Sequence, residues 1–125
     1  MGRVPFKPNE IYVFGSNLAG IHGAGSALHA RKHFGAIRGV GEGLQGHAYG
    51  IPTKDERLRV LPLSKIREHV DTFLEYARAY HEMVFILVPI GCGLAGYTPQ
   101  QIAPMFRDAP ANVRLPAEFL RVLAP

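Results

Sequence analysis

Two stretches of this chain carry the residue types that hold an anion through the backbone. The first runs Gly15-Ser16-Asn17-Leu18-Ala19-Gly20-Ile21-His22-Gly23-Ala24-Gly25, and the second Gly91-Cys92-Gly93-Leu94-Ala95-Gly96-Tyr97. Glycine lets the main chain approach a ligand closely, and bare N–H groups at the start of a helix attract phosphate. Each stretch follows an apolar run and precedes a helical pattern. Two such loops at the carboxyl ends of strands in one sheet would form a single site with a diphosphate between them. Neither loop ends in the Gly-Lys-Ser/Thr of a P-loop. Gly20, Gly23 and Gly25 also miss the spacing of the dinucleotide fingerprint, and Arg38-Gly39-Val40-Gly41 stands where its ribose-binding acid belongs.

Three other side chains have the chemistry to matter. His22, inside the first loop, is either a ligand contact or general base near neutral pH, or a loop histidine exposed to water. Cys92 stands near a helix start, where thiols become reactive, but no His or Asn is tied to it in the sequence. It reads as a small filler behind the anion ahead of a nucleophile. His29 and His33 lie at i, i+4 without a cysteine or paired acids, so neither a metal nor a cofactor is expected.

The elements that must position these residues are legible as apolar runs and periodic patterns. Ile11–Phe14 and Val84–Val88 read as buried strands, the second apolar on both faces as in a covered central strand. A helix is expected from Gly25 to Phe34, stopped by Gly35. Gly39 to Gly50 reads as loop or irregular edge strand, and Ala48–Ile51 as a strand closed by Pro52. A long amphipathic helix is expected from Ser64, its N-cap, to Tyr80, with Ile66, Val70, Phe73, Leu74, Ala77 and Tyr80 on the apolar side. Pro99 opens a helix to Phe106, Val113–Leu115 reads as an edge strand, and Pro116–Leu123 as a short helix. Alternating strands and helices imply an α/β fold with a mixed central sheet, and residues 1–125 are read as one domain.

Composition narrows the class of partner. With 47% hydrophobic and 19% charged residues the chain can bury a core and is not of the disordered type. The formal charge of +4 suits an anionic partner, although the lysines and arginines are scattered and Arg31-Lys32-His33 is the nearest thing to a cluster. A small basic nucleic-acid-binding protein is therefore one reading, opposed by the lack of aromatic residues interleaved with Arg and Lys. The single cysteine excludes an internal disulfide, and with no secretory signal or membrane-spanning run the expected location is the cytoplasm.

Three segments, in order, resemble the macrodomain family of ADP-ribose-binding proteins. They are Gly15-Ser16-Asn17 with Gly20-Ile21-His22-Gly23-Ala24-Gly25; Ile51-Pro52-Thr53-Lys54; and Pro89 to Tyr97 followed by Ile102-Ala103-Pro104-Met105-Phe106. The pattern is nearest the branch that removes ADP-ribose from proteins or DNA bases, in a short stand-alone form of phage or bacterial type. The resemblance implies a three-layer α/β/α fold. It also implies ADP-ribose or a related NAD-derived nucleotide as ligand, either free or attached to a macromolecule.

By the same resemblance Asn17 would bond the distal ribose, and backbone groups of Gly23–Gly25 and Gly91–Gly96 would hold ribose and diphosphate. Ser16, Ile21 and Thr53 would line the site, and Tyr97 would close over the ribose edge. Glu10 is the candidate for the adenine amino group. Lys54 matches a lysine that, in one enzyme of the related branch, attacks the anomeric carbon; such attack needs a neutral amine. Asp55 would oppose that if its side chain pointed the same way, although neighbours on an extended chain usually face apart. Leu94-Ala95-Gly96 stands where some hydrolases of the family carry a carboxylate, so the resemblance favours binding ahead of hydrolysis.

Overall fold

Residues 7–125 are described in the computed structural model. The apolar run at Ile11 lies within β1 (Glu10–Asn17), so Gly15, Ser16 and Asn17 finish a strand rather than begin a loop. On one side β1 pairs in parallel with β3 (Ala48–Lys54), and on the other with β4 (Val84–Leu87). β2 (Gly43–Gln45) joins β3 antiparallel, and β5 (Val113–Arg114) joins β4 in parallel. The result is a mixed five-stranded sheet of order β2-β3-β1-β4-β5 in an α/β chain.

Within the glycine-rich segment Gly43–Gln45 forms an edge strand, β2, one of the two readings expected there, but β3 runs through Pro52 instead of stopping there. The ladder with β2 ends at Gly50, and the ladder with β1 shifts register between Ser16 and Asn17. The donor that proline lacks therefore falls past the end of the β2 ladder, with Pro52 opposite Ser16 just before the register shift in the β1 ladder.

Among the described residues α1 (Gly25–His33), α2 (Leu63–Ala79) and α3 (Pro99–Ile102) lie between strands, and α4 (Ala117–Leu123) follows β5. Gly35, just past α1, takes φ +81°, a value that suits only a residue without Cβ. Ser64 is not the N-cap of α2. Pro62 holds that position with extended backbone, and Ser64 lies exposed in the first turn. The fixed φ of proline already suits the entry into a helix, so the chain turns two residues earlier than a serine cap at Ser64 requires. At the far end, Asn112 Nδ2 donates to the carbonyls of Ala77, Tyr80 and Met83 at 2.9, 3.3 and 3.1 Å, satisfying groups that a helix end leaves bare. α3 begins with a capping box between Thr98 and Gln101 and tightens into a 3-10 turn over Ala103–Phe106.

Strand alternation divides the core between the two faces of the sheet. Ile11, Val13, Tyr49, Ile51, Phe85 and Leu87 face the apolar side of α2. Tyr12, Phe14 and Ala48 face α1 through Ala27, Ala30 and Phe34. On the α2 side the Phe73 ring meets Tyr49 at 5.0 Å and Phe85 at 5.4 Å between centroids, an edge-on cluster with no exposed surface on Phe73 or Phe85. Tyr80, placed on the apolar side by periodicity, is 42% exposed and stacks on Tyr76 at the end of the helix. Among the described residues no helix is long and apolar enough to cross a membrane.

Candidate functional site

The carboxyl ends of β1 and β3 and the turn after β4 open onto one cleft of about 560 Å³, within the usual size range for small-ligand sites. Gly15, Ser16 and Asn17 reach it from β1, and Thr53 and Lys54 from β3. Gly15 is the close-packed centre of this floor. A Cβ there would lie 3.6 Å from both Thr53 Oγ1 and Ile90 Cβ, and 3.8 Å from the amide nitrogen of Gly91. Thr53 Oγ1 donates to the carbonyl of Ser16 at 3.3 Å, which ties the two strand ends together.

The first glycine loop contributes Ile21, Gly23, Ala24 and Gly25 to the wall, and the first turn of α1 adds Ser26 and Ala27. Among the described residues no side chain caps α1, no acid stands in its first turn, and the amides of Gly25, Ser26 and Ala27 find no acceptor. The positive end of the helix is thus uncompensated where it meets the cleft. The second loop contributes Gly91, Cys92, Gly93, Leu94 and Ala95. Among the described residues the amides of Gly93, Leu94 and Ala95 likewise donate to nothing.

Asn17 is more occupied than its type alone suggests. Its Nδ2 donates to the carbonyl of Ile21 at 2.7 Å, and its Oδ1 accepts from the Ile21 amide at 3.0 Å. The side chain closes the loop as a strand neighbour would, keeping one N–H and one lone pair in reserve.

Four of the expected site residues lie outside the lining. Gly20 packs against Gly39, whose amide donates to the Gly20 carbonyl at 2.9 Å. Gly96, with φ +87°, closes the turn from Gly93. Tyr97 braces the second loop from outside: its hydroxyl donates to the Leu61 carbonyl at 2.7 Å and its amide to Gly91 at 2.8 Å. His22 is buried, not exposed to water. Its Nε2 donates to the Ile37 carbonyl at 3.1 Å, its ring lies edge-on to Phe14, and its Nδ1 has no partner among the described residues.

His22 therefore couples the first loop to a segment the sequence did not mark as part of the site, Ile37–Gly41. That segment is pinned in turn by buried Gln45, which accepts from the Ile37 amide at 2.7 Å and donates to the Val40 carbonyl at 3.0 Å. Glu10, by contrast, begins β1. At about 3.3 Å per residue it lies roughly 23 Å from Asn17, and its carboxylate accepts from the amide of Lys7. That position removes it from the cleft.

The electrostatics favour an anion. Lys54 is the only charged side chain among the described residues lining the cleft, and no ion pair forms on it. Asp55 turns away and organises the following turn. Its carboxylate accepts from the amides of Arg57 and Arg59 at 2.8 and 2.9 Å and pairs with Arg59 Nε at 3.1 Å. These bonds, the Arg59 amide foremost, hold its pKa below the ordinary 3.8. A lowered carboxylate pKa contributes stability that is present above 3.8 and lost as pH falls through the folded value. Asp55→Asn is therefore expected to lower the melting temperature at pH 7, and the gap should close as pH drops below 3.8. Thermal melts across that range check it.

Cys92, half-buried, packs on the core around α2 while lining the cleft, and burial, with a smaller contribution from Glu118, pushes its thiol pKa up and away from the reactive thiolate. The His29 and His33 rings lie 4.6 Å apart, tilted to each other, beside Tyr12 and Phe34, and among the described residues no three His, Cys, Asp or Glu side chains are grouped to hold a metal.

One lining residue carried no sequence signal at all. Leu58 has φ +63°, the only non-glycine positive value among the described residues, and is 45% exposed at the cleft mouth. A side chain in that region costs about 1–2 kcal/mol. Ser26 and Ala27, also absent from the expected set, follow from the helix start itself. Comparison with family models, with curated proteins and with solved structures finds no match.

Proposed function

We propose that the protein binds ADP-ribose or a related NAD-derived nucleotide, with its diphosphate between the two glycine loops. The observation that carries this reading is a cleft bounded by unpaired amides of Gly25–Ala27 and Gly93–Ala95, with Lys54 as the only charge and no acid among the described residues that line it. Backbone donors and one cation suit a doubly charged linkage, and an acid-free wall avoids repelling it. The free donor and acceptor of Asn17 suit a ribose hydroxyl. The two core clusters on opposite faces of the sheet agree with a three-layer macrodomain-like arrangement. The test is calorimetric titration with ADP-ribose and with AMP at moderate salt. Binding of ADP-ribose far tighter than AMP is expected; equal or absent binding would remove the diphosphate from the argument.

A second reading, removal of ADP-ribose from a macromolecule, is favoured by one observation: Lys54 lines the cleft while Asp55 is engaged with Arg57 and Arg59. The Lys54 amine would form a bond to the anomeric carbon as the bond to the macromolecule breaks, and water would then release the sugar. Lys54→Ala is expected to abolish turnover of an ADP-ribosylated substrate while weakening ADP-ribose binding by less than about tenfold, the worth of one exposed charge contact. Turnover that survives the substitution would end this mechanism.

A further inference from the structure

The turn Asp55–Arg59 is built more firmly than a surface turn needs to be. Besides the three bonds to its carboxylate, the Asp55 amide donates to Arg59 O at 2.8 Å and the Leu58 amide donates to Asp55 O at 3.1 Å. The bonds lock Leu58 at φ +63°. Glycine or asparagine would occupy that position without strain, whereas leucine is among the residues it suits least. The left-handed backbone closes the turn under the antiparallel Lys54–Val60 bridge, which a glycine would do without strain, while the leucine side chain packs in neither core cluster and is 45% exposed. A strained side chain where glycine would serve the turn is characteristic of a functional position.

Leu58 is one of three exposed apolar side chains at the cleft mouth. Ile21, 39% exposed, comes from the first loop, and Leu94, 70% exposed, from the second. Leu94 reaches across the opening, its Cδ1 only 3.7 Å from where a Cβ on Gly25 would stand. The cleft thus has donor-rich walls and an apolar mouth. A bare anion matches the walls alone. A ligand with an uncharged ring attached to that anion matches both.

We propose that Leu58 is a specificity-determining residue, held in a strained conformation so that its side chain packs on the sugar or base ring adjoining the bound diphosphate. The inference rests on the nucleotide reading above and adds to it which part of the ligand the chain selects. Leu58 trades stability of the free protein for contact with the ring, so its removal should move stability and binding in opposite directions.

The experiment compares wild type with Leu58→Gly and Leu58→Asn, using thermal melts and calorimetric titration with ADP-ribose, and millimolar inorganic pyrophosphate as competitor. Both variants are expected to melt at or a few degrees above wild type and to be displaced by pyrophosphate at the same concentration. Their ADP-ribose affinity should fall about tenfold. Repeating the titration with AMP and with ribose 5-phosphate identifies the ring, base or sugar, as the one whose binding the variants weaken. Unchanged ADP-ribose affinity in Leu58→Gly overturns the proposal. So does a lowered melting temperature with equal loss of ADP-ribose and pyrophosphate, which would make Leu58 structural. Wild type that binds no nucleotide ends the underlying reading itself, an outcome visible before any variant is made.

Discussion

Gly20→Ala is expected to lower the melting temperature by about 10 °C or more and to abolish ligand binding with it. A Cβ at Gly20 would stand 2.4 Å from the carbonyl carbon of Gly39 and 2.5 Å from the amide nitrogen of Val40. Both are backbone atoms, which cannot swing aside as a side chain can. Gly20 also has φ +71°, so alanine adds conformational strain to the collision. Together these place the cost at about 3 kcal/mol or more, and at this chain length each kcal/mol is worth about 3–5 °C. Binding should fail because relief requires the first loop to part from Ile37–Gly41, the segment that His22 and the Gly20 carbonyl hold against it. Gly39→Ala is the matched control. It has φ +92° but nothing within 4 Å of its added Cβ, so it should cost only about 1 kcal/mol and leave binding intact. Similar melting temperatures for the two variants would show that the loops are not locked together in this way.

The second large effect concerns the far side of the sheet. Phe73→Ala is expected to destabilise the protein by about 3–5 kcal/mol, measured by urea unfolding. Phe73 is fully buried between Tyr49 on β3 and Phe85 on β4, so its ring fastens α2 to both neighbours of β1. No side chain on a helix can refill that space without moving the helix, and the cavity cost adds to the lost burial. Ligand affinity of the folded fraction should be unchanged, since Phe73 lies among the residues facing α2 and not among those lining the cleft. A cost below about 1.5 kcal/mol would mean that α2 collapses onto the vacated volume, and would contradict a rigid seat for the helix.

The legible parts of this molecule are those where one residue type has one physical consequence. Ile11–Phe14 and Val84–Val88 declared β1 and β4 because a dense apolar run of that length has few other uses. The spacing from Ile66 to Ala77 declared the buried face of α2. The two glycine loops were visible for a similar reason, and most of their residues line one cleft.

What escaped reading depends on partners far away in sequence. The segment after Gly39 carries mixed signals locally, and Gly43–Gln45 becomes strand by pairing with Ala48–Gly50, which is itself held by β1. Ser64 looked like a cap, yet Pro62 needed none. Tyr97 looked like a ligand contact, but the Leu61 carbonyl, delivered by the turn after β3, takes its hydroxyl. The Ile37–Gly41 backing was invisible because a glycine pressed against another backbone looks, in sequence, like a glycine in open solvent: Gly41 would place a Cβ 2.3 Å from the Asn17 carbonyl oxygen, while Gly43 meets nothing. Leu58 gave no warning either, since a left-handed leucine is imposed by the bonds around Asp55 and contradicts its own preference.

The sheet order has a consequence for how the chain is made. β1 comes first in sequence yet ends in the middle of the sheet, between β3 and β4. During synthesis its apolar residues leave the ribosome some seventy positions before Val84, which seats them on their second side. At about 5–20 residues per second a nascent chain would carry β1 with one flank open for several seconds. Pairing with β3 through the glycine-rich segment can shield the first flank earlier, and parallel pairings of such long sequence separation fold slowly. The short β2 and β5 then become the outer borders, so the longest strands are exposed to stray pairing only while the polypeptide is unfinished.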